Sequence, residues 1–260
     1  MYCMPIGIIC QEVLLFHNKK KFKVVVIDYP IFALDDSFCS NLLGKALKMK
    51  FDGYEAAYGN NILPMDKADF FGTHILFCEE TVNELIPIFA YKATPLDRCI
   101  DNCFEFPGLS LMKADGDPGC VDEINRIIAE VNAPELISFD SSWAQNLDYR
   151  QDPELKEWLK EIMMMVIVKH HEEFNIPHMI TCGVVKVKTD QFFLKIGLNK
   201  LTEKAHFYQK NLKGAEAVIF YNNKFSLIAN QMAFKHAGLW RNKLLIDGLR
   251  IRELRARRAA

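Results

Sequence analysis

The 260-residue chain has no long hydrophobic run, no excess of either charge, no C-x-x-C and no internal repeat. No stretch reaches the roughly 18 consecutive apolar residues that a spanning helix needs, so no membrane span is predicted. Lys plus Arg number 32 and Asp plus Glu 33, a formal net charge of −1. A protein that coats nucleic acid needs a basic field, and none is present overall. The eight cysteines are scattered, with only Cys99 and Cys103 four apart. They read as reduced, mostly buried thiols, and no metal site is expected. His170, His171 and His178 do not change this. H-E-x-x-H needs histidines four apart on one helix, whereas His171 and His178 are seven apart across Pro177. Met1 to Cys10 is apolar without a basic residue ahead of it, and Lys19, Lys20, Lys21 and Lys23 follow Leu14-Leu15-Phe16. That is the reverse of a secretory signal, and a cytoplasmic protein is expected.

What is present is globular. Half the residues are apolar and a quarter charged, enough for a large core. Charge is uneven: residues 241–260 hold six Arg and Lys243 against Asp247 and Glu253, net +5, which leaves −6 on the rest. The reading is one domain over 1–240 and a basic tail over 241–260. Phe22 to Ile27 is β-branched and predicts a strand. A helix follows from about Asp36 to Lys50, capped by Asp35, Asp36 or Ser37, and Tyr54 to Asp69 reads as irregular. Thr73–Cys78 and Ile86–Lys92 predict two strands joined near Thr81–Glu84. Asp97 to Asp117 is a long connection. Asp117-Pro118 opens a helix, Leu136–Asp140 is a strand, and Asp152-Pro153 opens the longest helix, to about Phe174. His178 to Lys188 is a strand, Thr189 starts a short helix that Gly197 ends, and Ala217–Tyr221 is a last strand before a helical tail. The order predicts an α/β fold: a mixed, mostly antiparallel central sheet of six or more strands flanked by helices.

The run His178 to Leu198 carries a resemblance. A strand leads to Phe192-Phe193-Leu194-Lys195-Ile196-Gly197-Leu198, which is similar to the F-Y-x-K-x-G-F helix after the fifth strand of GNAT acyltransferases. Leu63-Pro64-Met65-Asp66-Lys67-Ala68-Asp69 precedes one strand, and Tyr91-Lys92-Ala93-Thr94-Pro95 ends the next. These resemble the D-x-x-D and G-x-x-R-L-x-P-T segments of acyl-homoserine-lactone synthases and N-acyl amino acid synthases, with Lys92 for the Arg. The resemblance covers roughly residues 22–201. It implies a GNAT-like fold in which the fourth and fifth strands splay and an acyl-thioester's pantetheine arm pairs in the gap. Here that cleft would lie between the strands ending at Asp140 and at Lys188. Phe192 and Phe193 would stand on the cofactor side.

Two departures refine this. The family's glycine loop, whose amides cradle the CoA pyrophosphate at a helix N-terminus, is here Asn146 to Glu154 with no glycine. Asp152 and Glu154 occupy the positive end of that helix, and Pro153 offers no N–H. Acyl carrier protein is therefore favoured over acyl-CoA as donor, and the basic tail offers an acidic partner a handle. The second departure is Phe193, where the family often has a phenol.

Acyl transfer needs a deprotonated amine, a donor for the oxyanion and close approach. Asp140 is the candidate base, or a turn residue leaving its strand; Ser142 is an oxyanion or sulfur donor, or a turn serine. Trp143 lines the acyl or aromatic pocket, or packs the core. Asp66 and Asp69 hold an acceptor amine, or cap a loop. Lys92 lies in an apolar strand and, if turned inward, needs Asp66 or Asp69 as partner. Arg150 binds a carboxylate or phosphate, or is a surface charge. The expected protein is an N-acyltransferase that moves an acyl group from a thioester to a small, amino-acid-like amine, with no tightly bound cofactor. The alternative is a GNAT-fold binding or sensing module without catalysis.

Overall fold

The run Val24 to Ile27 forms the heart of β1 (Lys21–Asp28). All four residues are fully buried, with Val24 and Val26 in one apolar cluster and Val25 and Ile27 in another. Strand side chains alternate between faces, so the sheet is covered on both sides at β1. The computed structural model describes residues 20–59, 65–150 and 152–259. Met1–Cys10, with Cys3 and Cys10, and Leu63-Pro64 lie outside the described residues.

Asp36 caps α1 (Ser37–Tyr58), its Oδ1 accepting from the Cys39 amide at 2.9 Å. Of the apolar stripe that the spacing predicts, Phe38, Leu42, Leu43, Ala46 and Leu47, the middle three are buried, Leu47 is half-buried and Phe38 is exposed. The helix then runs on past Lys50 to Tyr58, where an irregular segment was expected. Tyr54 and Tyr58 are packed against the main core, and that burial outweighs the weak helix propensity of Gly53 and the aromatics. After α2 (Ala68–Phe71), β2 (Thr73–Glu80) and β3 (Leu85–Pro95) form the expected antiparallel pair. The long connection is largely helical: α3 (Leu96–Asp101) and α4 (Pro107–Asp115). Asp117 caps α5 (Pro118–Val131), accepting from the Gly119 amide at 2.9 Å.

β4 (Ile137–Gln145), the long α6 (Pro153–Glu173) and β5 (His178–Val184) follow. β5 ends four residues short of the predicted Lys188, because Val185–Val187 turn into a 3-10 helix. α7 (Thr189–Ile196) stops at Gly197 as read. Then come β6 (Asn199–Lys200), β7 (His206–Gln209), β8 (Ala215–Asn222), α8 (Leu227–Lys235), α9 (Ala237–Arg241), β9 (Leu244–Asp247) and α10 (Gly248–Ala259). The strands form one mixed sheet in the order β6-β8-β5-β4-β3-β2-β1-β9, with β7 on β8. Only β4–β5 and β1–β9 are parallel. The architecture is the α/β sheet the element order predicted.

Residues 241–260 correct the reading of a separate tail. β9 extends the sheet in parallel with β1, from Val25–Leu244 to Asp28–Asp247. At Gly248 a Cβ would lie 2.1 Å from the Tyr29 carbonyl oxygen, so only glycine admits the close approach that starts α10. Arg255 then bonds Asp35 and the Phe32 carbonyl, and Arg252 lies over the Phe32 ring. A local charge count cannot see this, because the partners are over 200 residues away in sequence. Removing residues 244–260 is expected to lower Tm by several degrees, since it bares one edge of β1 and the Phe32 face. A truncated chain that melts with the full-length protein would show the segment to be an appendage after all.

Candidate active site

β4 and β5 run side by side for four rungs, from Ile137–His178 to Asp140–Thr181, and then part. Beyond that rung β4 continues against β3 and β5 against β8. The β3–β4 ladder pairs Lys92 with Ser141 and Ala90 with Ala144. Tyr91 therefore faces two residues, Ser142 and Trp143, which is a β-bulge. Ser142 takes left-handed backbone, φ 59°. A bulge bends and twists its strand, and here it turns β4 away from β5.

A cleft of about 1000 Å³ opens in the gap. Ser141, Ser142 and Trp143 line it from β4, and Cys182 and Val184 from β5. One face of α1 forms another wall: Lys50, Gly53, Tyr54, Ala57 and Tyr58. Their spacing of three and four is that of a single helical stripe. Phe104, Leu111, Phe139 and Met163 add apolar lining. Arg150 lies against α1 because Gly53 has no side chain; a Cβ there would stand 3.2 Å from Nη2. Burial lowers the Arg150 pKa, and the guanidinium has no acidic partner among the described residues. A planar cation left free in a cleft wall suits a carboxylate or phosphate.

Behind the α1 wall lies a buried charge cluster. Lys92 points inward and donates to Asp66 Oδ1 at 3.0 Å and Asp69 Oδ1 at 2.8 Å, the partners its burial demanded. Lys50 donates to both Asp69 oxygens, at 3.1 and 3.3 Å. Burial alone would raise the Asp69 pKa, but Lys92 and Lys50 outweigh it and hold the carboxyl well below the usual range. Burial, together with the Lys92 charge, lowers the Lys50 pKa. His74 Nε2 donates to the Asp69 carbonyl at 2.8 Å, and burial lowers its pKa to about 4. Asp66 and Asp69 also cap each other's amides at 3.1 Å. Asp66 and Lys50 reach the cleft wall, and the Asp66 side chain stays 58% exposed. Lys92 and Asp69 stand behind it.

The root of the fork holds a second cluster. Asp140 is fully buried; its Oδ1 accepts from Ser138 Oγ at 2.6 Å and its Oδ2 from His171 Nε2 at 3.0 Å. His171 Nδ1 donates to the Ile176 carbonyl at 2.6 Å. Both ring nitrogens thus face acceptors, which calls for an imidazolium. Burial opposes that charge, but the Asp140 carboxylate and the Ile176 bond outweigh it, and the pKa is raised. Thr181 Oγ1 donates to the Asp140 carbonyl at 2.6 Å and accepts from Trp143 Nε1 at 3.2 Å. His170 is equally buried, with neither ring nitrogen partnered, and its pKa lies well below the ordinary value through burial.

The predicted residues divide accordingly. Ser142, Trp143, Arg150 and Asp66 line the cleft, whereas Asp140, Lys92 and Asp69 do not. Phe193 is fully buried, edge-on to Trp143 at 5.1 Å, and Phe192 is half-buried beside it; neither lines the cleft. The inward turn of Phe193 follows from the helical phase of α7, which puts Phe193 and Ile196 in the core. Sequence reasoning missed Lys50, Tyr54, Tyr58 and Cys182. The K-x-x-G-Y-x-x-A-Y stripe was the available signal, masked by glycine and aromatics that read as loop. Among the described residues no cluster of His, Cys, Asp and Glu is placed to hold a metal, and no helix is long and apolar enough to cross a membrane.

No family model matches the sequence, and no curated protein matches it. Solved structures do resemble it. BjaI, described as a CoA-dependent acyl-homoserine lactone synthase with SAM and isopentyl-CoA, superposes with a TM-score of 0.50 at 11% identity. The match covers 89% of this chain and 99% of that one. FeeM, an N-acyl amino acid synthase from uncultured soil microbes, gives 0.49 at 12% identity, covering 82% and 98%. The acyl-homoserine-lactone synthase LasI gives 0.46 at 13%, covering 81% and 93%. With its splayed parallel strands and bulged β4, the chain has the GNAT-type fold. Its structural neighbours include acyl-homoserine-lactone synthases and an N-acyl amino acid synthase.

Two outcomes follow. Asp140→Asn leaves a buried imidazolium uncompensated and is expected to cost about 3–5 kcal/mol in urea unfolding. The double variant with His171→Leu should cost less than the two single costs together; simple additivity would mean that the pair is not coupled. The pH dependence comes from the histidines. His74 and His170 have lowered pKa values in the fold, so below about 6.5 the unfolded chain takes up protons that the folded chain refuses. Their contribution is full above about pH 6.5 and is lost as pH falls below it, for His74 through about 4. His171, raised, runs the other way: its contribution is full below about 6.5 and is lost as pH climbs through its folded value. Burial lowers His178 as well, so with three histidines against one, acidification from pH 7 to 5 should lower the denaturation midpoint, and His170→Leu should shrink that loss. An unchanged pH response in His170→Leu would refute the assignment.

Proposed function

We propose that the chain is an N-acyltransferase that moves an acyl group from a phosphopantetheine thioester to the amine of an amino-acid-like acceptor. The fork between β4 and β5 carries this reading. Past Asp140 and Thr181 the two strand edges have no mutual partners, and an extended, amide-bearing arm such as pantetheine can pair with such edges. A shared fold with BjaI, described with isopentyl-CoA, supports a thioester as substrate. The apolar lining from Phe104, Leu111, Phe139 and Met163 suits an acyl chain.

The donor is more readily a carrier protein than CoA. At the start of α6, Asp152 Oδ1 already accepts from the Leu155 amide at 3.1 Å. A diphosphate brought there meets a carboxylate and Pro153, which has no N–H. The thioester is a co-substrate, and no bound cofactor enters the chemistry. In the acceptor, the ammonium group meets the exposed Asp66 carboxylate and the carboxylate meets the Arg150 fork. Lys92 and Asp69 act by holding Asp66 in place. The free amine attacks the thioester carbonyl carbon, Ser142 Oγ donates to the developing oxyanion, and the C–S bond breaks. Asp140 serves as a positioning residue: with His171 it fixes the rung from which the strands part.

The test is product formation. Acyl carrier protein or acyl-CoA with a panel of amino acids should yield an N-acyl product by mass spectrometry, faster from the carrier protein. Asp66→Asn and Arg150→Met should each raise the acceptor KM about 10- to 100-fold, the scale of a lost charge-assisted bond. Tight binding of either donor with no product from any amine would replace the enzyme with a binding module.

A further inference from the structure

The helix α8 carries apolar side chains on two opposite sides. Ala229 and Ala233 are buried and turn inward. Lys235 and His236 tie the end of the helix to Glu161 of α6 at 2.7 and 2.8 Å. At 3.6 residues per turn, Leu227, Ile228 and Phe234 then fall on the outward side. Leu227 is 75% exposed and Phe234, two turns on, 86% exposed; Ile228 is exposed as well. The start of α8 abuts the end of α7: Ser226 Oγ donates to the Lys195 carbonyl at 3.0 Å, and the Ser226 amide to the Ile196 carbonyl at 2.8 Å. That contact brings the exposed Leu194 and Lys195 beside the start of α8. A single exposed leucine is ordinary, but four large apolar side chains on two touching helices form a patch.

The charges around the patch decide what it can meet. Lys195 and Lys224 are exposed and belong to no ion pair among the described residues. Lys195 acts on Glu157 from a distance, but Glu157 is bonded to Lys160. Glu161, at the far end of α8, is answered by Lys235 and His236. The patch is thus apolar at its centre and flanked by unanswered cations. A second copy of the chain does not suit it. Four side chains expose roughly a few hundred Å², short of the roughly 800 Å² per partner that a stable interface buries, and self-pairing would set lysine against lysine. A thioester donor does not suit it either, since none of these residues lines the cleft. A bilayer asks for less: shallow apolar insertion, with cations at the level of its phosphates.

We propose that the outward face of α8, with the end of α7, docks on an anionic phospholipid surface. Leu194, Leu227, Ile228 and Phe234 enter the boundary between headgroups and acyl chains, and Lys195 and Lys224 meet the phosphates. This attachment is peripheral and stands independently of the acyl-transfer reading.

The test is co-sedimentation of the full chain with vesicles. Phosphatidylcholine vesicles with about 30% phosphatidylserine should take the protein down, and phosphatidylcholine alone much less. Salt at about 0.5 M should weaken the binding by screening the lysines. L227S/F234S should lower the partition coefficient about 100-fold, the scale of two inserted apolar side chains. K195Q/K224Q should lower it about 30-fold, the scale of two headgroup cations. All four side chains are exposed, so Tm should hold; if L227S/F234S melts lower, F234S alone carries the comparison. No binding to either kind of vesicle, equal uptake by both, or an undiminished partition in L227S/F234S would overturn the proposal. So would a chain indifferent to vesicles that self-associates, or binds an acyl carrier protein, through these same residues. The face would then belong to a second copy or to an acidic protein.

Discussion

Between Asp140 and Thr181 the sheet stops being continuous, and a charge buried at that rung holds the break in place. His171 reaches from α6 to the Asp140 carboxylate, and Ser138 takes its other oxygen. Thr181 ties the Asp140 carbonyl to the neighbouring strand and to Trp143. A buried carboxylate and a buried imidazolium are costly apart and tolerable only together. Their joint position therefore registers helix, strand and neighbour at one point. The bulge at Ser142 follows two residues later and bends β4 outward. One side of the fork is set by electrostatics, the other by backbone geometry, and the cleft is the space between.

Charge is arranged around this cleft rather than spread over the surface. Lys50, Lys92 and Asp69 form a dry cluster in which each charge is answered, leaving Asp66 to face solvent. Arg150, in the cleft wall, has no acidic partner among the described residues. The helix N-terminus that would receive a diphosphate is capped by its own aspartate. The basic α10 lies at the opposite edge, past β3, β2, β1 and β9. That is four strand spacings, roughly 19 Å. The +5 segment is thus a docked edge of the sheet, and the net charge of −1 conceals a spatial separation as well as a sequential one.

Much of this was legible because the interactions concerned are local or obligatory. Hydrophobic alternation and β-branching located β1, β2, β3, β4 and β5; Asp117 marked its helix start by a side-chain cap, and Asp36 was one of three candidates, with Asp35 and Ser37, for the start of α1. Lys92 was legible for another reason: a lysine in an apolar strand must find an acid, and D-x-x-D lay nearby. The extension of α1 was not legible, since Gly53 and two tyrosines weaken helix propensity and only packing repays them. Nor was the orientation of Phe193, which depends on a helical phase relative to Trp143.

The sequence by itself determined the element order, the mixed sheet, the acidic body with its basic end, and the absence of a glycine cradle before α6. These rest on periodicity, composition and caps, which act over a few residues. Only the tertiary structure decided which side chains meet the cleft. It placed Asp140 behind the wall, brought the α1 stripe of Lys50, Tyr54 and Tyr58 opposite Cys182, and stitched β9 onto β1. Those outcomes depend on contacts across tens to hundreds of residues. There, burial and charge pairing set the result, and local propensity has no vote.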